Sequence, residues 1–442
     1  MNHKSEESIQ ESMQKSAKAS IEAYLDKIPS YAKKKAELSE VRAFLAEMGN
    51  PQEQVKIIHV AGTNGKGSVC AYLVQILKES RQTAASFPSP HLVETRERFL
   101  LNGVMIDHAL YKACFEEVKK LCEKMIKKGY SHPMYFEFLF YMQMALVKYA
   151  HPDWLVLETG MGGRRDVTNV VEHPVLTILT SISMDHMQYL GNTLEEIAWE
   201  KAGIIKAGVP VIFSEENVAV ADVIRREAEQ KHSPCIAVSG RDWEAGPFDL
   251  ERGETRAKLF GKECMVPFAA DYQVENAALA FRAAMELPEC TEETALLAIS
   301  HTKWPGRMEQ VLPGVYLDGA HNEGGIHALT SAIRKLYHKR DITILFSAAK
   351  DKAHDKMLRE LCQTFPIKAV VGVSYSGDRS MPIEEIKREL ESYADCPVFL
   401  CHTVQEAFET ALSQKGDGLL FAAGSLYLIG EIKDVIRRQY HD

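Results

Sequence analysis

The 442-residue sequence has no Cys-x-x-Cys pair among its nine cysteines and no excess of positive charge. It also has no apolar run near the roughly 18 residues that cross a bilayer. Each absence excludes a class. Scattered cysteines, odd in number, argue against a disulfide framework or zinc ribbon and for reduced thiols. The first twenty residues, MNHKSEESIQESMQKSAKAS, mix Lys with Glu and contain no apolar core of a signal peptide. With no membrane span either, the expected compartment is the cytoplasm. A net charge of -9 argues against a nucleic-acid partner. No internal period marks a solenoid.

What is present is organised around Lys56–Leu77, KIIHVAGTNGKGSVCAYLVQIL. Ile57, Ile58 and Val60 read as a buried parallel strand. The strand breaks at Gly62-Thr63-Asn64-Gly65-Lys66-Gly67-Ser68, and an amphipathic helix is expected to begin near Val69. Strand, glycine loop and helix form a phosphate cradle: the glycines admit close backbone N–H groups, and the helix N-terminus adds partial positive charge. Lys66 supplies a point charge for the β/γ-phosphates. The bland reading is an ordinary glycine-rich turn. The loop is shorter than GxxxxGK[ST], and Gly67 stands where that motif has its metal-binding hydroxyl, so metal ligands must come from elsewhere.

The rest of the chain alternates strand and helix. After a polar lead-in, helices are expected near Ile21–Leu25 and Ala36–Met48. Strands follow at Thr83–Phe87, Trp154–Leu157, Val175–Thr180, Pro210–Phe213 and Cys235–Val238, with helices over 107–130 and Tyr135–Tyr149. Asp242–Phe268 reads as a β-hairpin excursion and Gln273–Met285 as a helix. The pattern restarts at TKWPG, residues 302–306, and five further strand–helix repeats follow. The expected fold is therefore two open, mainly parallel-sheet α/β domains. The first, 1–301, is a P-loop nucleotide-binding domain; the second, 302–442, is smaller and Rossmann-like.

Ligands of open parallel sheets sit at the carboxyl ends of strands. Ser89, Glu158 and His186 each fall at the end of a separate expected strand. A hydroxyl, a carboxylate and an imidazole suit Mg²⁺ bridging phosphate oxygens, although His186 alone reads equally as a core-edge histidine. Lys201 is either a helix-terminal charge or a desolvated amine with a lowered pKa. Arg307 at the domain junction suits a bidentate phosphate clamp, and Asp318 at a strand end suits a ribose. Lys350-Asp351-Lys352 reads as a solvated loop or a substrate contact. On this chemistry alone a kinase, an ATP-driven ligase and an ATPase switch all remain open.

From Ile21 onward the sequence resembles the folylpolyglutamate synthase family, including its members with dihydrofolate synthase activity. The resemblance is carried by HVAGTNGKGSV (59–69), SPHL (89–92), RERFLLNG (96–103) and ETGMGGRRDVTNV (158–170). It continues through the Asp185-His186 pair, LGNTLEEIAWEKAGIIK (190–206), PGRMEQ (305–310), LDGAHN (317–322), Lys350-Asp351-Lys352 and GSLYLIGE (424–431). It implies a Mur-ligase-like, ATP-dependent amide ligase that joins L-glutamate to a folate, and also to dihydropteroate, through an acyl phosphate.

By the same resemblance Asn64, Gly65, Lys66, Gly67 and Ser68 cradle the phosphates, while Asn276, Arg307 and Asp318, with His321 nearby, contact the nucleotide. Ser89, Glu158 and His186 match magnesium ligands, two ions being expected. Lys66, Lys201, His186 and Glu158 form the catalytic set, Lys201 matching a carbamylated lysine. Tyr135, Phe136, Glu137 and Phe138, with Arg165, Asp166 and Val167, match segments that hold the pterin substrate. A monomer acting on small molecules is expected.

Three positions depart from the family pattern: Pro88 for a threonine, Ala270-Asp271-Tyr272 for Gly-x-His, and Arg165 for an aliphatic residue. Two rivals remain. One is a Mur-type peptidoglycan ligase, disfavoured by the fifty or so residues before the loop and by Gly67-Ser68 in place of threonines. The other is a non-ligating ATP-binding switch.

Overall fold

A computed structural model describes residues 20–29, 37–249, 253–336 and 340–440. The polar lead-in before Ser20 and the expected helix start at Ala36 lie outside the described residues.

The first sheet has eight strands: β1 Lys56–Ala61, β2 Ala84–Phe87, β3 Leu100–Leu101, β4 Val104–Met105, β5 Trp154–Glu158, β6 Leu176–Leu179, β7 Val211–Ser214 and β8 Cys235–Val238. Their spatial order is β4-β3-β2-β5-β1-β6-β7-β8, parallel from β2 to β8 and antiparallel at the β3–β4 edge. β1 lies near the middle because both of its faces are covered. Ile58 and Val60 pack with the helices Lys66–Glu79 and Asp271–Ala284, whereas Ile57 packs with the cluster that contains the helix Tyr135–Ala150. Burial on both faces explains the continuous apolar run in place of alternation.

The stretch expected as one hairpin forms three antiparallel strands, β9 Trp243–Asp249, β10 Glu254–Leu259 and β11 Lys262–Val266. Leu259 is fully buried against the helix Asp271–Ala284, so this small sheet covers part of the first core.

The second large sheet has β12 Glu309–Leu312, β13 Val315–Leu317, β14 Ile342–Phe346, β15 Ala369–Val373, β16 Val398–Cys401 and β17 Leu419–Ala423, in the order β12-β13-β17-β14-β15-β16. Only β12 runs antiparallel. It was not expected, because its sequence, EQVL, is short and half-polar and takes its conformation from pairing with β13. Among the described residues no helix is long and apolar enough to cross a membrane.

Phe138 is enclosed in the first core, its ring 5.9 Å from Phe115 and stacked on His132 at 6.0 Å. Phe138→Ala should therefore cost about 3–5 kcal/mol of stability, read as a lower denaturant midpoint at unchanged slope.

Candidate active site

The carboxyl ends of β1, β2, β5 and β6 face the amino end of the helix Glu323–Leu336 across a cavity of 340 Å³. The helix after β1 begins at Lys66, three residues earlier than expected, because Gly65 adopts φ +86° and starts the turn at once. Val69 N–H is the first to reach a helical carbonyl, that of Gly65. The N–H groups of Lys66, Gly67 and Ser68 therefore have no helical acceptor and border the cavity.

Two contacts explain the glycines. A Cβ at Gly65 would lie 2.2 Å from Oδ1 of Asn276, and one at Gly67 would lie 2.8 Å from the Trp304 ring. Trp304 thus occupies the space that a threonine would take after the lysine. The loop is also tied to the chain beyond β6. Thr63 N–H donates to Ser181 O at 2.8 Å, and Thr180 Oγ1 donates to Asn64 O at 2.6 Å.

Lys66 Nζ donates to Thr63 O at 3.0 Å and stands 3.9 Å from Oε1 of Glu158. Glu158 is 2% exposed, and its Oε2 accepts the Ser89 N–H at 3.1 Å. Burial raises its pKa, with Lys66 opposing. His186 has φ +49° and, chiefly through burial, a pKa near 4. Ser89, Glu158 and His186, from three strand ends, all border the same cavity.

Lys201 is 4% exposed and donates to Gly62 O at 2.7 Å. Burial, reinforced by Lys66, brings its pKa down to about 7. The neighbouring Trp199 is not the cause. It is 42% exposed and lies under the Arg164 guanidinium at 3.8 Å.

The second domain adds Arg307, Asp318 and His321. Asp318 accepts from Tyr272 Oη, from Met308 N–H at 2.8 Å and from Ala320 N–H at 2.8 Å. Tyr272, the departure noted in the sequence, is thereby a bridge between domains. His321 is half-buried with a pKa near 4, chiefly from desolvation, and its Nδ1 pairs with Gly319 O at 2.7 Å.

Sequence reasoning missed the residues that join the domains. Asn64 and Asn322 exchange two amide hydrogen bonds of 3.1 Å, and Asn322 also donates to Asp185 at 3.0 Å. Lys352 pairs with Asp185 at 2.6 Å, with side chains 7% and 9% exposed. Burial alone would raise the Asp185 pKa, but Lys352 holds it well below the usual carboxylate range. The charged run thus contributes an interdomain ion pair. Spacing gave no signal of it, because the partners are 167 residues apart.

The expected pterin residues divide. Phe136 meets the cavity wall, its ring 2.6 Å from where a Cβ on Gly160 would be. Tyr135 lies 5.8 Å from the Arg98 guanidinium. Glu137 caps its own helix through Met134 N–H at 2.9 Å. Phe138 and Val167 are core residues, and Asp166 closes a turn by accepting from Met161 N–H and Thr168. Arg165 is largely exposed, 3.8 Å from Glu200. The structure therefore does not bring Glu137, Phe138, Asp166, Val167 or Arg165 to the cavity.

Two α/β domains closing on a phosphate loop, a buried lysine and a second helix N-terminus define a Mur-type ligase architecture. The matching family models agree: the Mur ligase middle domain over residues 60–284 and the Mur ligase glutamate ligase domain over 306–425. The chain is 33% identical to the dihydrofolate synthase/folylpolyglutamate synthase of Bacillus subtilis, across 90% of this chain and 94% of that one. The structure superposes on Mycobacterium tuberculosis folylpolyglutamate synthase, solved with ADP and AMPPCP, with a TM-score of 0.84 at 25% identity, covering 96% and 98% of the two chains. An FPGS solved with AMPPCP and folate matches with a TM-score of 0.80 at 27% identity, covering 95% and 99%. The chain belongs to the folylpolyglutamate synthase/dihydrofolate synthase family.

Removing Lys352 strands Asp185 as a buried, unpaired charge. Lys352→Met should cost about 3–5 kcal/mol, and adding Asp185→Asn should recover part of the loss. A double-mutant cycle by chemical denaturation measures the coupling.

Proposed function

We propose that this protein uses ATP to join L-glutamate to the carboxylate of a folate, and to that of dihydropteroate. The observation that carries the reading is the shared cavity. It brings the free N–H groups after Gly65, the Lys66 ammonium, the Glu158 carboxylate and the Glu323–Leu336 helix N-terminus to one place. Full-length similarity to the Bacillus relative supports it.

The acceptor carboxylate attacks the γ-phosphorus, forming an acyl phosphate and releasing ADP. The glutamate amine then attacks the acyl carbon, phosphate leaves with the C–O bonding pair, and the amine loses a proton. No protein nucleophile is required, so the protein's work is alignment and charge compensation. Lys66 and the loop N–H groups hold the phosphates. Asn276, Arg307 and Asp318, with His321, contact the nucleotide. Asp318 retains lone pairs for this beyond its three donors. Tyr135 and Phe136 flank the acceptor. The interdomain pairs close the cleft and keep out water that would hydrolyse the acyl phosphate.

Among the described residues no cluster of three His, Cys, Asp or Glu side chains forms a metal cage. That fits Mg²⁺, which takes one or two protein carboxylates and completes its shell with phosphates and waters. Glu158, Ser89 and His186 would hold it, and it would neutralise charge on the transferred phosphoryl group. Lys201, carrying a carbamate, would add an anionic oxygen for a second ion. The enzyme acts as a cytoplasmic monomer.

Phosphate release should require Mg-ATP, L-glutamate and either tetrahydrofolate or dihydropteroate, with glutamate adducts as the products. Release with tetrahydrofolate alone would restrict the activity to polyglutamylation, and release with neither would refute the reading. Lys66→Ala should reduce turnover about 10²–10³-fold. Lys201 should show a labile gain of one CO₂ in bicarbonate. Its occupancy should rise as pH climbs through about 7, because only the neutral amine adds CO₂. No adduct at alkaline pH would exclude the carbamate.

A further inference from the structure

Arg98 is a buried cation with no ion-pair partner among the described residues. It ends the short turn Thr95–Arg98 and is 6% exposed. Its Nε donates to Nδ1 of His91 at 3.0 Å. Among the described residues, no carboxylate lies within ion-pair distance of it and neither Nη has a protein acceptor. The adjacent Glu97 is already engaged, accepting the backbone N–H groups of Leu92, Val93 and Glu94. Buried guanidinium groups are ordinarily paired, because leaving water uncompensated is costly.

The surroundings indicate what completes the pair. Arg98 follows β2, on the opposite side of β1 from Lys201 and the β6–β7 strand ends. Its positive charge acts on both Glu158 and Tyr135. The Tyr135 ring is 5.8 Å from the guanidinium, and the next residue, Phe136, packs on the core residue Phe87 at 5.5 Å and reaches Gly160 at the cavity. Phosphates already have Lys66 and the loop N–H groups. A flat aromatic ring ending in a carboxylate matches the remaining chemistry, with guanidinium and carboxylate pairing side by side.

We propose that Arg98, beside Tyr135, forms a carboxylate subsite that binds the aryl carboxylate of a pteroate-type phosphoryl acceptor next to the phosphate loop. The inference rests on the ligase reading above. Arg98 offsets the repulsion between the incoming carboxylate and the triphosphate and turns one carboxylate oxygen towards the γ-phosphorus.

Calorimetric binding in the presence of Mg²⁺ and AMPPCP tests this with three probes: pteroate, its descarboxy analogue and L-glutamate. The wild type should bind pteroate about 10–100-fold more tightly than the descarboxy analogue. Arg98→Gln should abolish that preference without changing AMPPCP affinity, and Arg98→Lys should restore part of it. Equal losses for pteroate and the analogue would assign Arg98 a merely structural role and overturn the proposal. A selective loss of glutamate binding would overturn the assignment to the acceptor. If Arg98→Gln fails to bind AMPPCP, the wild type and Arg98→Lys decide: no carboxylate preference in the wild type, or one undiminished in Arg98→Lys, overturns the subsite. A wild type that binds neither pteroate nor its analogue would overturn the subsite, whereas the ligase reading falls only if phosphate release also fails with tetrahydrofolate.

Discussion

The Lys352–Asp185 ion pair, set beside the reciprocal amides of Asn64 and Asn322, holds the two sheets' carboxyl ends against one cavity. Each charge loses water on burial, which costs several kcal/mol per ion and is offset only when the partner is well placed. The second domain therefore docks where its lysine finds Asp185 and its asparagine finds the loop. Gly324 fits the same constraint: a Cβ there would come within 2.6 Å of Ser183 Oγ. The interface thus brings the Glu323–Leu336 helix N-terminus over the phosphate loop.

Around that interface, cations and acids alternate. Lys66, Lys201 and Arg307 line the cavity with Asp185, Glu216 and Glu275, while Glu158 and Asp318 are its most deeply buried acids. The electrostatics have two consequences. Burial and the Lys66 field bring Lys201 down to about 7, which leaves a neutral amine near physiological pH. Lys66 and Arg307 also bring positive charge to the part of the cavity that the phosphate loop borders.

Tightness around the loop has its own logic. Trp304, which precedes the second domain's first strand, presses on Gly67, and Asn276 presses on Gly65. A side chain at either glycine would displace a residue that belongs to the nucleotide side of the cavity or to the domain junction. The loop sequence is therefore constrained by packing as well as by phosphate geometry.

Local physics was legible in the chain itself. Apolar runs marked the strands of both large sheets, because fully buried parallel strands need no alternation. The glycine loop, Ser89, Glu158, His186 and Lys201 were identifiable because they follow strands or lie in marked motifs, and all of them border one cavity. Less legible were features whose meaning lies in a distant partner. Phe138 and Val167 lie in segments that match pterin-holding ones by resemblance, and helix phase and turn geometry turn both side chains into the core. β12 exists because β13 pairs with it. Lys352 became an interdomain tether, Trp304 a stop against Gly67, and Arg98 an unpaired buried cation, through contacts that close only when two sheets and the loop between β2 and β3 come together. Sequence by itself determined the elements and the chemistry available at their ends, since these depend on near neighbours along the chain. Which groups are paired, buried or left waiting for a ligand was decided by tertiary structure, because burial and charge depend on residues hundreds of positions away.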